Sequence, residues 1–157
     1  MKLWLASSDC DLISRHLASG VFAGVVTNPA VVAEARRDRV ELFRDIVQIA
    51  PVAWYQLLAG TEAEMLADAE RMLGIDPVRM RIKVPATRTG LGVIRRLAGQ
   101  NLHVMATCVP TRPWLVLRRR RARVRLDLCQ CSGGARRPRA AGIGRVRPLG
   151  VRGDCCK

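Results

Sequence analysis

Lys83 is the residue of this sequence whose type and position most clearly predict chemistry. It lies in the apolar string MRIKV, and lysine is seldom buried unless it is paired or functional. Side chains alternate along a strand, so Lys83 is expected to face away from Ile82 and Val84. Removal from water favours the neutral amine, which can add to a carbonyl group and form an imine. The alternative is a strand-end lysine whose long side chain reaches solvent.

Polar residues also lie at the ends of other apolar runs. Thr27 and Asn28 follow the second run, Gln56 lies in the third, and Thr107 ends the fifth. The carboxyl ends of parallel strands meet at one face of a barrel, where active sites of that fold are built. These residues and Lys83 are therefore predicted to converge. The alternative is that they are ordinary strand-end polar residues bonded to neighbouring loops.

The elements that would position these residues alternate between strand and helix, which predicts an α/β fold with parallel strands. Helix ends are marked locally: Thr61 and Glu64 have capping-box spacing, Gly74 is placed to end that helix, and Asp9 is predicted to cap the first. The predicted strands are Lys2–Ala6, Val21–Thr27, Val52–Leu58, Met80–Val84 and Leu102–Ala106. The predicted helices are Asp9–Ser19, about Val31–Ala50 with a break near Asp38, Glu62–Leu73 and Gly90–Ala98, and a fifth is predicted to begin around Pro113.

Residues 118–157 have a different composition from residues 1–117. Arg, Gly, Ala and Pro make up 24 of these 40 residues, which carry +11 of the net charge of +14. These four amino acids have the codons richest in G and C, and apolar periodicity stops after Leu117, in the middle of a predicted helix. We therefore expect a frameshift or misread of GC-rich coding DNA, or a disordered tail. The alternative is a basic tail that binds nucleic acid phosphate through Arg118–Arg121, but no aromatic residue follows for base stacking. A nucleic-acid partner is therefore not expected.

The cysteines and the apolar runs bear on metal binding, membrane insertion and cellular location. Cys129, Cys131, Cys155 and Cys156 lack zinc-site spacing, so no metal is expected, whereas Cys10 and Cys108 are expected to be reduced and buried. No run of about 18 apolar residues could span a bilayer, and no signal peptide is evident. A cytoplasmic protein without a membrane partner is expected.

Four strings, GVVTNPAVV, YQLLAGTEAEM, IKVPATRTGLGVIRRL and LHVMATCV, resemble in order and spacing the small transaldolase and fructose-6-phosphate aldolase family of Schiff-base enzymes. The resemblance covers residues 1 to about 117, and its pairing of TNP with KVP is fairly specific. It implies a (β/α)8 TIM barrel, here incomplete, with about the first five strand–helix units in a domain 1–117 and an irregular basic tail 118–157. A complete barrel takes about 250 residues.

The same resemblance implies roles for the candidate residues. Lys83 would form the Schiff base with a ketose phosphate. Asn28 and Thr27 would bind the substrate, with Asn28 holding a hydroxyl group of the dihydroxyacetone unit. Gln56 and Thr107 would orient a catalytic water. Family members use no metal or organic cofactor, and a homo-oligomer fits the family. Glutamine at position 56 favours the fructose-6-phosphate aldolases, because transaldolases usually have glutamate there.

The sequence departs from the family at the end of the first strand. An aspartate is usual there, whereas this chain has Ala6, which cannot ionise. Loss of a general acid or base commonly costs a factor of about 10² to 10⁴ in rate. The phosphate-binding residues of the family come from later strands and cannot be assigned. Little or no activity is therefore expected from this chain, and a noncatalytic barrel relative is the alternative.

Overall fold

A computed structural model describes residues 2–58 and 60–108 of the chain. Within them five strands alternate with helices in the predicted order. The strands are β1 (Leu3–Ala6), β2 (Phe22–Val26), β3 (Ala53–Gln56), β4 (Met80–Pro85) and β5 (Val104–Thr107). The helices are α1 (Cys10–Leu17), α2 (Pro29–Glu34), α3 (Arg39–Ile49), α4 (Glu62–Leu73) and α5 (Arg88–Gly99). The helix predicted near Pro113 and the tail 118–157 lie outside the described residues.

All strand pairs are parallel, and the sheet order β1-β2-β3-β4-β5 follows the chain. Each strand is connected to its neighbour through at least one helix, which is the connection that parallel strands require. The sheet curls into a half-barrel, which confirms the predicted α/β class and an incomplete barrel of alternating strands and helices.

Short polar side chains cap the start of each of the five described helices. Asp9 Oδ1 accepts hydrogen bonds from the N–H groups of Asp11 and Leu12, as predicted for the first helix. Thr61 and Glu64 form the predicted capping box of α4, and that helix ends at Gly74. These bonds satisfy N–H groups that have no partner inside the helix, so they fix where each helix starts.

The predicted long second helix is two helices, and the break lies where it was predicted. Arg36 has φ 50° and ends α2, and Asp38 caps α3 through the N–H groups of Val40 and Glu41. A left-handed residue followed by a new cap prevents a continuous helix. Helix α5 begins at Arg88, two residues earlier than predicted, because Thr87 caps it through the N–H of Gly90.

The apolar core lies between the helices and the outer face of the sheet. It contains the alternate strand residues Val25, Ala53, Tyr55, Ile82, Val84, Val104 and Ala106, packed against helix residues such as Phe43, Ile46, Met72 and Val93. This packing determines which strand residues remain to face the inner side of the half-barrel. The prediction that Cys10 and Cys108 are buried is wrong. Cys10 begins α1 and is half-buried, and Cys108 follows β5 and is exposed.

Candidate active site

Lys83 lies on the inner face of the half-barrel and is 3% exposed. Its neighbours Ile82 and Val84 belong to the core on the helix side, so the alternation of β4 directs Lys83 to the other face. A lysine that reached solvent would be far more exposed than this. The structure therefore contains a buried amine at the inner surface of a parallel sheet.

The Lys83 side chain extends over β3. Its Nζ lies 2.9 Å from the carbonyl oxygen of Thr27, at the end of β2. Strands β2 and β4 are not adjacent, and β3 separates them in the sheet. Thr27 is itself 2% exposed and donates through Oγ1 to the carbonyl oxygen of Trp54 at 2.9 Å. Lys83 and Thr27, far apart in sequence, are thus in direct contact.

Gln56 and Thr107 lie on the two strands that flank β4. Gln56 is the last residue of β3 and is paired in register with Lys83. Thr107 is the last residue of β5, is 1% exposed, and is paired with Pro85. Both residues therefore lie at the carboxyl-end side of the sheet, close to Lys83 in register.

Asn28 follows β2 at the same side of the sheet and stabilises the start of α2. Its Oδ1 accepts a hydrogen bond from the N–H of Val31 at 2.9 Å and caps α2. The amide nitrogen of the side chain is not used by that cap. Asn28 therefore keeps two N–H donors that are held in one orientation by the bond to Oδ1.

Ala6 ends β1 and is paired with Val26. Asp9, the nearest carboxylate along the chain, caps α1, and its N–H donates to Ser7 Oγ at 3.1 Å. The carboxylate of Asp9 is thus committed to a helix end. None of the β1 residues Leu3–Ala6 carries a carboxyl group.

Comparison with known proteins reveals similarity to curated proteins named probable transaldolase. The relative from Pelotomaculum thermopropionicum is 29% identical over 111 residues, which are 69% of this chain and 51% of that protein. The relative from Desulforudis audaxviator is 33% identical over 110 residues, with the same coverage of both chains. The relative from Rhodospirillum centenum is 34% identical over 108 residues, which are 68% of this chain and 46% of that protein.

This chain resembles part of a transaldolase. It spans about half the length of the curated relatives that it matches. No family model matches the chain.

Trp54, on the inner face of the half-barrel, was not predicted to have a functional role. Trp54 is 4% exposed and, together with Met105, is a buried apolar residue that does not belong to the core on the helix side. It packs edge-to-face against Trp4, with 5.7 Å between ring centroids. The signal in the sequence was its position two residues before Gln56, which places both on one face of β3.

A second unpredicted cluster lies on the outer face and joins three elements. The Tyr55 hydroxyl lies 2.9 Å from an Arg39 nitrogen and 3.0 Å from Asp68 Oδ2, and Arg39 also forms an ion pair with Asp68 at 2.9 Å. Burial, followed by the nearby Asp68 carboxylate, raises the pKa of Tyr55 to about 12. This cluster fixes the helix side of β3 directly beside Gln56.

A cleft on the helix side is separate from the lysine. It has a volume of about 370 Å³ and lies on the helix side, between α2, the start of α3 and Tyr55. Two of its three arginines form ion pairs, Arg37 with Asp45 and Arg39 with Asp68. The position of Lys83, not the size of this cleft, therefore identifies the candidate active site.

The described part of the chain offers no group of three His, Cys, Asp or Glu side chains that could hold a metal ion. None of the helices in residues 2–58 and 60–108 has the length and apolar character needed to span a membrane.

Proposed function

We propose that this chain is the front part of a Schiff-base enzyme of the transaldolase type, in which Lys83 reacts with a ketose phosphate. The observation that carries the proposal is a lysine 3% exposed on the inner face of a parallel α/β sheet, with its Nζ 2.9 Å from the Thr27 carbonyl oxygen. Either form of the amine can donate that bond. Similarity to proteins named probable transaldolase supports the same assignment.

The chemistry follows from the electronic properties of an imine. The neutral Lys83 amine adds to the ketose carbonyl, and loss of water leaves a protonated imine. When the neighbouring carbon–carbon bond breaks, its electron pair moves toward the imine nitrogen, a hydroxyl proton leaves, and an aldehyde is released. The remaining enamine carbon adds to an acceptor aldehyde or takes up a proton, and water then hydrolyses the imine to free Lys83.

The neighbouring residues have supporting roles in this proposal. The side-chain amide nitrogen of Asn28, held by the α2 cap and next to Thr27, donates to a hydroxyl group of the dihydroxyacetone unit. Gln56 and Thr107 orient a water molecule that transfers protons. No cofactor is required, because the imine itself accepts the electron pair. Gln56 favours aldolase over transaldolase activity, and we place the reaction in the cytoplasm.

Borohydride trapping tests the proposal directly. The chain has three lysines, Lys2, Lys83 and Lys157. Incubation with dihydroxyacetone or fructose 6-phosphate and borohydride is expected to add the mass of the reduced adduct to the peptide that contains Lys83. Lys83→Met should abolish this label. Equal labelling of Lys2 and Lys83, or no label at Lys83, would overturn the imine assignment and favour a noncatalytic relative, to which Ala6 also points.

Turnover is expected to be weak or absent, because this chain spans about half of each matched relative. An imine can form without the groups that bind phosphate, whereas cleavage at a useful rate needs proton transfer and orientation as well. We therefore expect a trapped adduct at Lys83 and little release of the aldehyde product.

A further inference from the structure

Trp54 lies on the same face of the sheet as the candidate catalytic residues, one step further from the carboxyl ends. It is paired in register with Val26 on one side and Arg81 on the other, whereas Gln56, two residues later, is paired with Lys83. Two residues of a strand span roughly 6.6 Å, a distance that an indole side chain can bridge. Trp54 is therefore within reach of a small molecule bound at Lys83.

The indole N–H of Trp54 is buried and has no hydrogen-bond partner among the described residues. One further buried side-chain atom shares this property there, Asp68 Oδ1, but it lies 2.9 Å from the Arg39 guanidinium. No such contact is found for the Trp54 N–H among the described residues. An indole nitrogen can only donate, and a buried donor without an acceptor costs about 1 to 3 kcal/mol. Such a group is retained most readily where a ligand supplies the acceptor.

We propose that Trp54 is a specificity-determining residue whose indole N–H donates to a hydroxyl oxygen of the ketone bound at Lys83. The proposal rests on the proposed function of Lys83 and extends it to substrate choice. The ligand class is a small hydroxylated ketone, because the carbonyl oxygen is lost as water when the imine forms and only a hydroxyl oxygen remains to accept the bond.

The apolar neighbours of Trp54 would strengthen its preference for a hydroxylated ketone. Trp4 packs edge-to-face on Trp54, and Met105, paired with Lys83 from β5, is 3% exposed. A hydrogen bond surrounded by such groups is shielded from competition by water. A ketone without a hydroxyl group would leave the Trp54 donor unpaired and would bind more weakly.

Dihydroxyacetone and acetone distinguish a hydrogen bond from the Trp54 N–H from simple packing of the Trp54 ring. In borohydride trapping with the full chain, Trp54→Phe keeps an aromatic ring and removes the N–H. We expect the half-saturating concentration of dihydroxyacetone to rise by about 3- to 10-fold, the range that loss of one ordinary hydrogen bond predicts. The value for acetone, which has no hydroxyl group, is expected to stay unchanged.

Trp4→Phe is the matched control, because it alters the same ring pair and leaves the Trp54 donor in place. It should leave both half-saturating concentrations unchanged. If Trp54→Phe changes neither ketone, or weakens both equally, the specificity role is wrong, whereas labelling of Lys83 in the same samples would leave the imine proposal intact.

The indole signal of the unaltered chain provides a second measurement, which does not depend on the stability of a variant. The chain has three tryptophans, and their ¹⁵N–¹H indole resonances can be assigned from the two variants. Dihydroxyacetone is expected to shift the Trp54 resonance more than that of Trp4. A donor held against the Trp4 ring would give no such shift, and that result would overturn the role of Trp54. A shift without any Lys83 label would instead retain the Trp54 contact and overturn the imine.

Discussion

Gln56 and Tyr55 are adjacent residues that serve opposite faces of β3. Gln56 shares the inner face with Lys83, and Tyr55 belongs to the core and contacts Arg39 and Asp68 on the helix side. The Tyr55 cluster joins α3, β3 and α4 directly beside a candidate catalytic residue. Its chemistry can therefore be tested without touching the inner face.

The Tyr55 phenol gives a pH prediction. Its pKa is about 12 in the folded chain, because burial and then Asp68 disfavour the phenolate, and about 10 when unfolded. Between these values the unfolded chain releases a proton that the folded chain keeps. The contribution of Tyr55 to the free energy of unfolding is therefore complete below pH about 10 and decreases up to about 12. This is the chain's one tyrosine, so ultraviolet absorbance of tyrosinate reports it alone.

Tyr55→Phe is the control for that titration. The variant loses the hydroxyl that bridges Arg39 and Asp68, and its free energy of unfolding should be lower near neutral pH by about 1 to 3 kcal/mol. The difference from the unaltered chain should narrow as the pH rises from about 10 to about 12. Titration of the folded chain at the ordinary tyrosine pKa would show that the phenol is not buried beside Asp68.

Residues were predictable from the sequence where local alternation decided their placement. The inward direction of Lys83 followed from Ile82 and Val84, and the strand-end position of Thr107 followed from the apolar run before it. Gln56 was predicted inside a strand Val52–Leu58, whereas it is the last residue of β3. The partners of Tyr55 were not predictable, because Arg39 and Asp68 lie 16 and 13 positions away on different helices. The contact between Lys83 and the Thr27 carbonyl could not be predicted without the sheet order, because the two residues are 56 positions apart in the sequence.

At the scale of the element, predictions were accurate where a helix or strand carries its own end signals. Helix α4 begins and ends at the predicted residues, because its capping box and Gly74 are local. Strand β5 begins two residues later than predicted: the preceding Asn101 is left-handed, with φ 59°, and Leu102 donates back to Leu97. That turn depends on how α5 packs, which local sequence does not specify.

Helix α5 gives a prediction at this scale. A side chain at Gly90 would collide with the carbonyl oxygen of Pro85, two residues after Lys83, whereas a Cβ at Gly99 of the same helix meets nothing within 4 Å. Gly90→Ala should lower the free energy of unfolding in urea by about 1 to 3 kcal/mol. Gly99→Ala should leave it unchanged or raise it by up to about 1 kcal/mol.

These two variants also test how α5 supports the candidate site. Displacement of α5 from the Pro85 carbonyl would move the carboxyl end of β4, so Gly90→Ala should also slow borohydride labelling of Lys83. Equal stability of the two alanine variants would show that α5 does not approach β4 as closely as described.

At the scale of the whole molecule, the half-barrel places β1 and β5 at the outside of the described sheet. An outer strand presents unpaired N–H and C=O groups on one edge, and such edges pair readily with other chains unless charges prevent it. Strand β1 begins with Leu3, which is 44% exposed and apolar. The β1 edge is thus suited to association between copies of this chain.

We predict that association of the chain depends on the β1 edge and can be weakened there by one charge. Leu3→Lys introduces a charge on that edge, where a second strand would have to bury it, and should lower the apparent mass in sedimentation at a fixed concentration. Val78→Lys is the matched control, because Val78 is 74% exposed and precedes β4, which lies between β3 and β5 in the sheet. Both variants add the same charge to an exposed apolar position, so net charge alone cannot produce a difference between them. If the two variants sediment alike, association does not use the β1 edge. A monomer mass for the unaltered chain at every concentration would show that this edge does not associate.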